Sequence, residues 1–426
     1  MQQKIYFVGS VEEIAHHAAP LAALFEYQIV EPDEVLTTAR AGDLAIFFSE
    51  HFDRFRNAIC ELKTKNVATL YMIDGILEWR NAWENRVDEP ACPFTMRPIL
   101  CHKVACIGNA QARVLSSWGN HDKIEVVGIP RFDSLTAERP SNNDRNLRLL
   151  VMTAKFPSYT DDQRRKLVRG LSDLKAILDQ KQGIDVVWRL TAGLDVELNV
   201  ENRLKDLSGG DLADNLAQVD AVISTPSTAI LESIVMGRPT AVLDYTNSPS
   251  FLPVAWNITS VDQIESQVAS LLDPPETKIA FQSCSVADAL QLAEPATNRL
   301  KDLIESMLKA ARESVSGQKA LRFESSILEP PKCGTSTFDH AGIFSSFDEF
   351  QTGDTVELQA QLAHARREIL HLQKQLRQIE SELGQAHQIF DEINNHPIAG
   401  PVVKIRKRIL SLINQLKRSN VQPEPN

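Results

Sequence analysis

The stretch AVISTPSTAILESIVMGRPTAVLDY, residues 221–245, changes its pattern three times. It begins as an apolar β-branched run, passes through a hydroxyl-rich segment around Pro226 into a helical pattern, and ends as a second apolar run. Short apolar runs that alternate with helices are typical of a parallel sheet with helices packed on its faces. The stretch therefore predicts one strand–helix–strand unit of an α/β fold.

The same alternation recurs on both sides of a polar segment. Strand-like runs lie between residues 4 and 129 and again between residues 147 and 245, and residues 133–146 between them are polar and contain Pro and Asn. We predict an α/β protein with two Rossmann-like domains, residues 1–132 and 147–313, joined by a linker at 133–146 and facing across a cleft. In such sheets ligands bind outside the carboxyl ends of the strands.

The pattern changes after residue 313. Residues 314–354 are rich in Ser, Gly, Thr and Pro, and we predict a flexible linker there. Apolar residues then step by four and three from Leu358 to Ile393, which predicts a coiled coil over 355–393 and a homo-oligomer. Residues 398–426 carry a basic amphipathic helix. This tail fits either an anionic membrane surface or packing against the coiled coil.

Composition excludes several classes of protein. A formal net charge of −11 over 426 residues argues against a general nucleic-acid binder. The six cysteines have no paired or metal-binding spacing, so we expect free thiols in a reducing compartment. The start of the chain does not resemble a signal peptide, and no segment has the roughly 20 apolar residues that cross a bilayer. We expect a cytoplasmic protein.

The hydroxyl-rich segment predicts a binding loop. Thr225 is expected to cap a helix whose first residue is Pro226, which leaves the backbone amides of Ser227 and Thr228 unpaired at the positive end of the helix. Helix starts of this kind bind phosphate. Glu232 lies off the apolar face of the helix and is placed to accept hydrogen bonds from a ribose. Ordinary helix capping explains the Thr-Pro start equally well.

At these residues the chain resembles the donor-binding half of GT-B-fold glycosyltransferases and their relatives. The relatives include the CDP-glycerol glycerophosphotransferase family and UDP-N-acetylglucosamine epimerases. The matching elements are the strand AVIST, the Ser/Thr loop, the helix with Glu232, and GRPTAVL. The resemblance implies that the loop (Ser224, Thr225, Ser227 and Thr228) contacts the donor diphosphate, that Glu232 contacts the ribose, and that neither a metal nor another cofactor is required.

A second set of strand-end residues belongs to the first domain. The segment VVGIPRFDS, residues 126–134, resembles the GxPRxD segment of the glycerophosphotransferase and capsule-polysaccharide families and brings Arg131 to the cleft. In the glycerophosphotransferase family a His-Gly pair, whose histidine serves as base, occupies about the position of Asp74-Gly75. The resemblance makes Asp74 the candidate base, and a strand-end turn residue is the alternative.

Basic and aromatic residues complete the predicted cleft. Lys155 and Arg189 lie at strand ends of the second domain and are candidate phosphate ligands, although a surface ion pair explains Arg189 as well. Trp79 and Trp83, beside Arg80, have the spacing of a helical platform for an acceptor sugar, or of an ordinary core. The histidines, among them His17, show no triad or metal spacing, and we assign them no chemistry.

These residues lead to one expected function and two rivals. We expect a transferase that moves a sugar or polyol phosphate from a nucleotide-activated donor to a saccharide or lipid-linked acceptor in surface-polysaccharide synthesis. A nucleotide-sugar epimerase or hydrolase is the first alternative. The second is a non-catalytic scaffold in which a degenerate transferase fold is multimerised by the coiled coil.

Overall fold

The computed structural model describes residues 3–80, 96–136, 146–200, 212–250, 252–330 and residue 378. The chain divides into two compact units, Met1–Ser336 and Thr337–Asn426, and every element described below belongs to the first. The predicted coiled coil at 355–393 (apart from residue 378) and the predicted tail at 398–426 lie outside the described residues.

The first sheet has six parallel strands in the order β2-β1-β3-β4-β5-β6. The strands are β1 Ile5–Val8, β2 Tyr27–Val30, β3 Leu44–Phe47, β4 Ala68–Met72, β5 Lys103–Cys106 and β6 Ile124–Val126. Five of them are buried along nearly their whole length, because helices cover both faces of a parallel sheet. The helices are α1 Val11–Ala18, α2 Pro32–Thr38, α3 Asp53–Thr64 and α4 Asn109–Leu115.

The second sheet has five parallel strands in the order β11-β10-β9-β7-β8. Its strands are β7 Leu147–Met152, β8 Ile184–Arg189, β9 Ala221–Ser224, β10 Thr240–Leu243 and β11 Trp256–Ile258. The helices that follow are α5 Asp161–Leu178, α6 Leu194–Glu197, α7 Leu212–Ala217, α8 Ala229–Val235, α9 Val261–Leu272, α10 Glu276–Ala289 and α11 Ala296–Ser316. The prediction of two Rossmann-like parallel-sheet domains is confirmed.

Both sheets reverse their strand order at an equivalent point. The reversal lies between β1 and β3 in the first sheet and between β7 and β9 in the second. Loops that leave such a pair of strands run in opposite directions and open a crevice beyond the strand ends. The topology therefore places one candidate crevice at the carboxyl end of each sheet.

The last helix returns to the first sheet. Leu300, Leu303 and Met307 of α11 are buried in one cluster with Ile5 and Phe7 of β1. The sequence boundaries put residues up to 313 in the second domain, but α11 completes the covering of the first. The apolar face of an amphipathic helix predicts that this face is buried, but it does not predict which sheet covers it.

The chain crosses between the two sheets twice, and the crossings meet at Asp133. One crossing starts after Phe132 and the other ends at the beginning of α11. The Asp133 carboxylate accepts hydrogen bonds from the backbone amides of Ala296 and Thr297, both at 2.8 Å. Gly128 lies beside this junction with a φ of +99°, and a Cβ there would approach the Ala296 Cβ to 2.8 Å. The packing thus explains the glycine and the aspartate of the GxPRxD-like segment.

The linker prediction for 314–354 is wrong at its start. Residues 314–316 are helical, and the segment from 317 to 330, the strap, packs Leu321, Phe323 and their neighbours against the first domain. Glu125 of β6 accepts hydrogen bonds from two strap amides, those of Ile327 at 2.8 Å and Leu328 at 2.9 Å. The segment is rich in polar residues, but its apolar side chains pack against the first domain and fix it there.

Candidate functional site

A cavity of about 520 Å³, the cleft cavity, opens at the strand ends between the two domains. The first domain contributes residues that follow β1, β3 and β4, including Gly9, Ser49 and Asp74. The second domain contributes the loop after β7, through Lys155 and Phe156. The cavity therefore lies where the topology of both sheets predicts a ligand.

His17 and Asp74 form a hydrogen-bonded pair in this cavity. His17 lies near the end of α1 and Asp74 follows β4, and the Nε2 of His17 is 2.9 Å from the Oδ2 of Asp74. The His17 side chain is 9% exposed and that of Asp74 is 47% exposed. The imidazole is thus fixed within the protein, while the carboxylate faces the space that a ligand would enter.

The hydrogen-bonded pair determines the chemistry of Asp74. Burial acts to raise the pKa of the Asp74 carboxyl, but the hydrogen bond and charge of His17, with the nearby Arg131, hold this pKa below its usual value. A carboxylate with a lowered pKa is a poorer proton acceptor. Asp74 alone is therefore a weak candidate for the base that the sequence assigned to it, and the pair is a better one.

Two further histidines line the cavity. The ring of His16 lies 3.6 Å from that of His17, and burial, with the charges of His17 and Arg131, lowers the pKa of His16. Burial also lowers the pKa of His51, to about 4. At neutral pH both rings are uncharged and so are able to accept protons or hydrogen bonds.

The sequence analysis assigned no role to His17 because its partner, Asp74, is distant in the chain. His17 meets Asp74 only because β1 and β4 lie in one parallel sheet, separated by β3. The available signal was position, since α1 begins directly after β1 and so starts at the carboxyl edge of the sheet. No spacing rule for triads or metal sites captures that arrangement.

The hydroxyl loop differs from its prediction at Ser224 and Thr225. Both residues are buried, and the Thr225 hydroxyl accepts a hydrogen bond from the Ala154 amide at 2.9 Å. The Ser224 hydroxyl donates to the Thr225 carbonyl at 2.8 Å. These side chains fix the loop rather than face a ligand. Helix α8 begins at Ala229, so Thr225 is not its N-cap.

The other half of the loop, at Ser227 and Thr228, is half-buried and touches the first domain. The Thr228 hydroxyl accepts a hydrogen bond from the Ile76 amide at 3.2 Å. Gly75 is required by this contact, because a Cβ there would lie 1.9 Å from the Thr228 Oγ1. Within the described ranges the amides of Ser227 and Thr228 donate to no protein acceptor, and they stay candidate ligands for an anion.

Arg131 and Glu232 form an ion pair between the two domains. The Arg131 Nη2 lies 2.9 Å from the Glu232 Oε1, with side chains 25% and 13% exposed. Arg131 also has a buried Nη1 that finds no hydrogen-bond partner among the residues that the structure describes. A ribose at Glu232 would share the carboxylate with Arg131.

The remaining predicted residues lie at different depths. Lys155 is exposed and lines the cleft cavity, whereas Arg189 is half-buried at the end of β8 and does not line it. Arg80 is 2% exposed, and its Nε lies 2.5 Å from the Glu78 Oε1, so its guanidinium does not face an acceptor. Trp79 is half-buried, and Trp83 lies outside the described residues.

A second cavity of about 560 Å³ lies on the other side of the segment Ile76–Glu78. The strand ends of the second domain line it, through Pro226, Asp244 and Asn257 among others. Ile76, Leu77 and Glu78 line both cavities. This short segment is therefore a wall between two neighbouring spaces at the carboxyl ends of the sheets.

The described part of the chain provides no cluster of three or more His, Cys, Asp or Glu side chains suited to a metal ion. Among its cysteines, Cys60, Cys101 and Cys284 are free thiols. Among the described helices none has both the length and the apolar character to span a membrane.

Comparison with known proteins finds similar structures but no similar sequences. No protein-family model and no curated protein matches the chain. Among solved structures, the UDP-GlcNAc 2-epimerase of Methanocaldococcus jannaschii in complex with UDP-GlcNAc and UDP is 11% identical, with a TM-score of 0.48, over 72% of this chain and 99% of that one. The wall teichoic acid polymerase TagF with CDPG is 12% identical, with a TM-score of 0.46, over 74% and 90%. With identities this low and TM-scores below 0.5, we base the functional conclusion on the cleft.

Proposed function

We propose that the protein is a transferase that moves a sugar or a polyol phosphate from a nucleotide-activated donor to a hydroxyl of an acceptor. The observation that carries the proposal is the His17–Asp74 pair, 2.9 Å apart, opposite Lys155 across the cleft cavity. A base on one wall and a cation on the other are the two groups that such a transfer needs.

The pair is proposed to receive the acceptor proton. The acceptor oxygen forms a bond to the donor carbon, or to phosphorus for a polyol phosphate, while the bond from that atom to the leaving nucleotide oxygen breaks. The proton passes to the imidazole of His17, and the Asp74 carboxylate stabilises the imidazolium that results. The lowered pKa of Asp74 suits this role, since the carboxylate stays ionised throughout.

The leaving nucleotide is proposed to lie against the second domain. Lys155 is proposed to supply positive charge for its phosphates from the cleft cavity, and the amides of Ser227 and Thr228, which line neither cavity, to supply oriented dipoles from the start of α8. Glu232 is proposed to accept hydrogen bonds from the ribose while keeping its contact with Arg131.

Glu232→Ala should then weaken nucleotide binding, and an unchanged affinity would remove the ribose assignment.

The first experiment is a set of variants at the pair. His17→Gln keeps a hydrogen-bond donor for Asp74 but cannot take the proton, and Asp74→Asn removes the charge. We expect each to lower kcat by about 10²- to 10⁴-fold with little change in the KM of the donor. Because the two groups act as one unit, the double variant should lose little more than either single one.

The controls separate this role from a structural one. His121→Gln alters an imidazole that is 69% exposed and should leave kcat unchanged. Thermal unfolding of each variant checks that the fold is retained. Full kcat in a folded His17→Gln protein would contradict the proposed base.

A ligand panel distinguishes the alternatives. Thermal shifts with UDP-, GDP-, CDP- and CMP-linked ligands should reveal a nucleotide preference, and a scaffold would show none. Donor consumption without an acceptor would favour an epimerase or hydrolase. Consumption that requires an added saccharide or lipid-linked acceptor would support the transferase.

The C-terminal region extends the proposal to location and assembly. We propose a cytoplasmic homo-oligomer, joined by the coiled coil at 355–393, whose basic tail at 398–426 binds an anionic membrane surface near a lipid-linked acceptor. Deletion of 398–426 should abolish binding to liposomes that contain anionic lipid. Unchanged liposome binding would end the membrane role.

A further inference from the structure

Phe156 is an exposed aromatic residue at a binding cavity. Its side chain is 64% exposed, and it lines the cleft cavity on the side of the second domain. The other exposed large apolar side chains of the described ranges, such as Phe281 and Val196, do not line this cavity. Exposure of a phenylalanine forgoes about 1.5–3 kcal/mol of burial, and a ligand in this cavity would cover the ring.

The loop that carries Phe156 is anchored on both sides. Thr153, at its start, has a buried hydroxyl 3.0 Å from that of Thr191, and the next amide, of Ala154, donates to Thr225. Pro157, directly after Phe156, is buried. The Tyr159 amide then donates to Gln163 in the first turn of α5 at 2.8 Å. The aromatic side chain therefore projects from a fixed base into the cleft, as binding side chains on rigid supports do.

Lys155 complements the aromatic ring. Its Nζ lies 5.6 Å from the centroid of the Phe156 ring, and both side chains border the same cavity. An apolar flat surface beside a flexible cation fits a ligand that joins a ring to a phosphate. The ring would stack on the aromatic face, and the phosphate would pair with the ammonium group.

We propose that Phe156 is a binding and specificity residue that stacks on a ring of the phosphate-bearing ligand held by Lys155 in the cleft cavity. The ring is either the base of the nucleotide or the pyranose attached to it, because both offer a flat face to an aromatic side chain. The inference rests on the proposed function, since that function supplies the phosphate-bearing ligand.

Calorimetry with Phe156 variants tests the inference. The variants are Phe156→Ala, which removes the ring, and Phe156→Trp, which enlarges it, with CMP, UMP, GMP and glucose 1-phosphate as probes. For the probe whose ring stacks on Phe156, the alanine variant should lose about 5- to 100-fold in affinity, and the tryptophan variant should retain or exceed the original affinity. Because the side chain is exposed, both variants should fold normally.

Phe281→Ala is the matched control. This phenylalanine is 49% exposed on α10 and does not line the cleft cavity, so its removal should leave every affinity unchanged. Lys155→Met should weaken every phosphate-bearing probe. In the Lys155→Met background, Phe156→Ala should weaken the binding of each probe by the same factor as it does in the original protein.

The outcomes separate the inference from the function on which it rests. A loss confined to the nucleotides identifies a base as the stacked ring, and a loss confined to glucose 1-phosphate identifies a pyranose. Equal affinities of the original protein and Phe156→Ala for every bound probe overturn the inference and leave the proposed function standing. If neither these probes nor nucleotide-activated donors bind the original protein, the proposed function fails and the inference fails with it.

Discussion

Asp74 and Gly75 are adjacent in the chain but serve different parts of the molecule. Asp74 faces the cleft cavity and holds His17. Gly75 instead lies against Thr228 of the second domain, where a Cβ would be 1.9 Å from a hydroxyl oxygen. One residue sets the chemistry, and its neighbour sets how closely the two domains approach.

Gly75→Ala should therefore destabilise the contact between the domains. Overpacking of this kind costs about 1–3 kcal/mol, and denaturant unfolding would measure it as a lower midpoint. Thr228→Ala removes the nearest atom and should restore part of the loss in the double variant. An unfolding midpoint unchanged by Gly75→Ala would mean that the two segments can separate at little cost.

Single residues were the least predictable level. Asp74, Lys155 and Arg131 were predicted to reach the cleft; the structure places Asp74 and Lys155 on the cleft cavity and Arg131 in an ion pair between the domains. Ser224 and Thr225 were predicted to face a ligand but are buried. The sequence does not distinguish a strand-end hydroxyl that binds a ligand from one that binds the protein backbone. Which of the two occurs depends on how the neighbouring loops pack.

At the scale of elements, the strap depends on a buried ion pair. The Lys103 Nζ lies 2.8 Å from the Glu125 Oε1, with side chains 1% and 0% exposed. Glu125 also accepts the two strap amides, and Lys103 donates to the Ser325 carbonyl at 3.0 Å. Two side chains of neighbouring strands thus hold a segment from the end of the first unit.

Removing one charge should release the strap. Glu125→Gln or Lys103→Met leaves an unpaired buried charge and should lower the free energy of unfolding by about 3–5 kcal/mol. Limited proteolysis should cut the variants between residues 317 and 330. The control is Glu305→Gln on α11, where the pair with Lys301 is 3.7 Å apart and exposed, and the loss should stay below about 0.5 kcal/mol.

Helices were predicted well where the helical period repeats over many residues, and strands were predicted well where the run of apolar residues is continuous. The strand–helix–strand unit expected within 221–245 is formed by β9, α8 and β10. Strand β11 was missed because three residues show no period. The strap was missed because composition favoured a linker, and the buried groups that hold it lie far away in the chain.

At the scale of the whole molecule, two half-buried histidines make stability depend on pH. Burial lowers the pKa of His51 to about 4 and that of His102 to about 3. Both groups gain protons more readily when the chain unfolds, where the pKa is about 6.5. Their contribution to the free energy of unfolding is therefore fully present above about pH 6.5. It is lost as the pH falls from there towards the folded-state pKa values, because only the unfolded state takes up the protons.

His102→Asn isolates one of these contributions. Asparagine retains an acceptor for the Thr69 amide, which donates to the His102 Nδ1 at 3.2 Å, but it does not titrate. Between pH 7 and pH 5 the variant should lose about 1–2 kcal/mol less stability than the original protein. Burial raises the pKa of Glu50 and acts in the opposite direction, but this effect cancels in the comparison. Equal losses in the two proteins would refute the assignment.

The architecture as a whole was the most predictable level, because it follows from repeated strand–helix alternation rather than from any one residue. The return of α11 to the first sheet was the exception. Long-range connections of this kind leave no local pattern, since the helix would have the same apolar face on either domain.

The junction at Asp133 has a mechanical consequence. The two covalent connections between the halves come together where that carboxylate caps α11, close in the chain to the ion pair between Arg131 and Glu232. Two domains that are connected at one place move relative to each other mainly by rotation about that connection and little by sliding. Any opening of the cleft cavity would then be mainly a rotation with Asp133 near its axis.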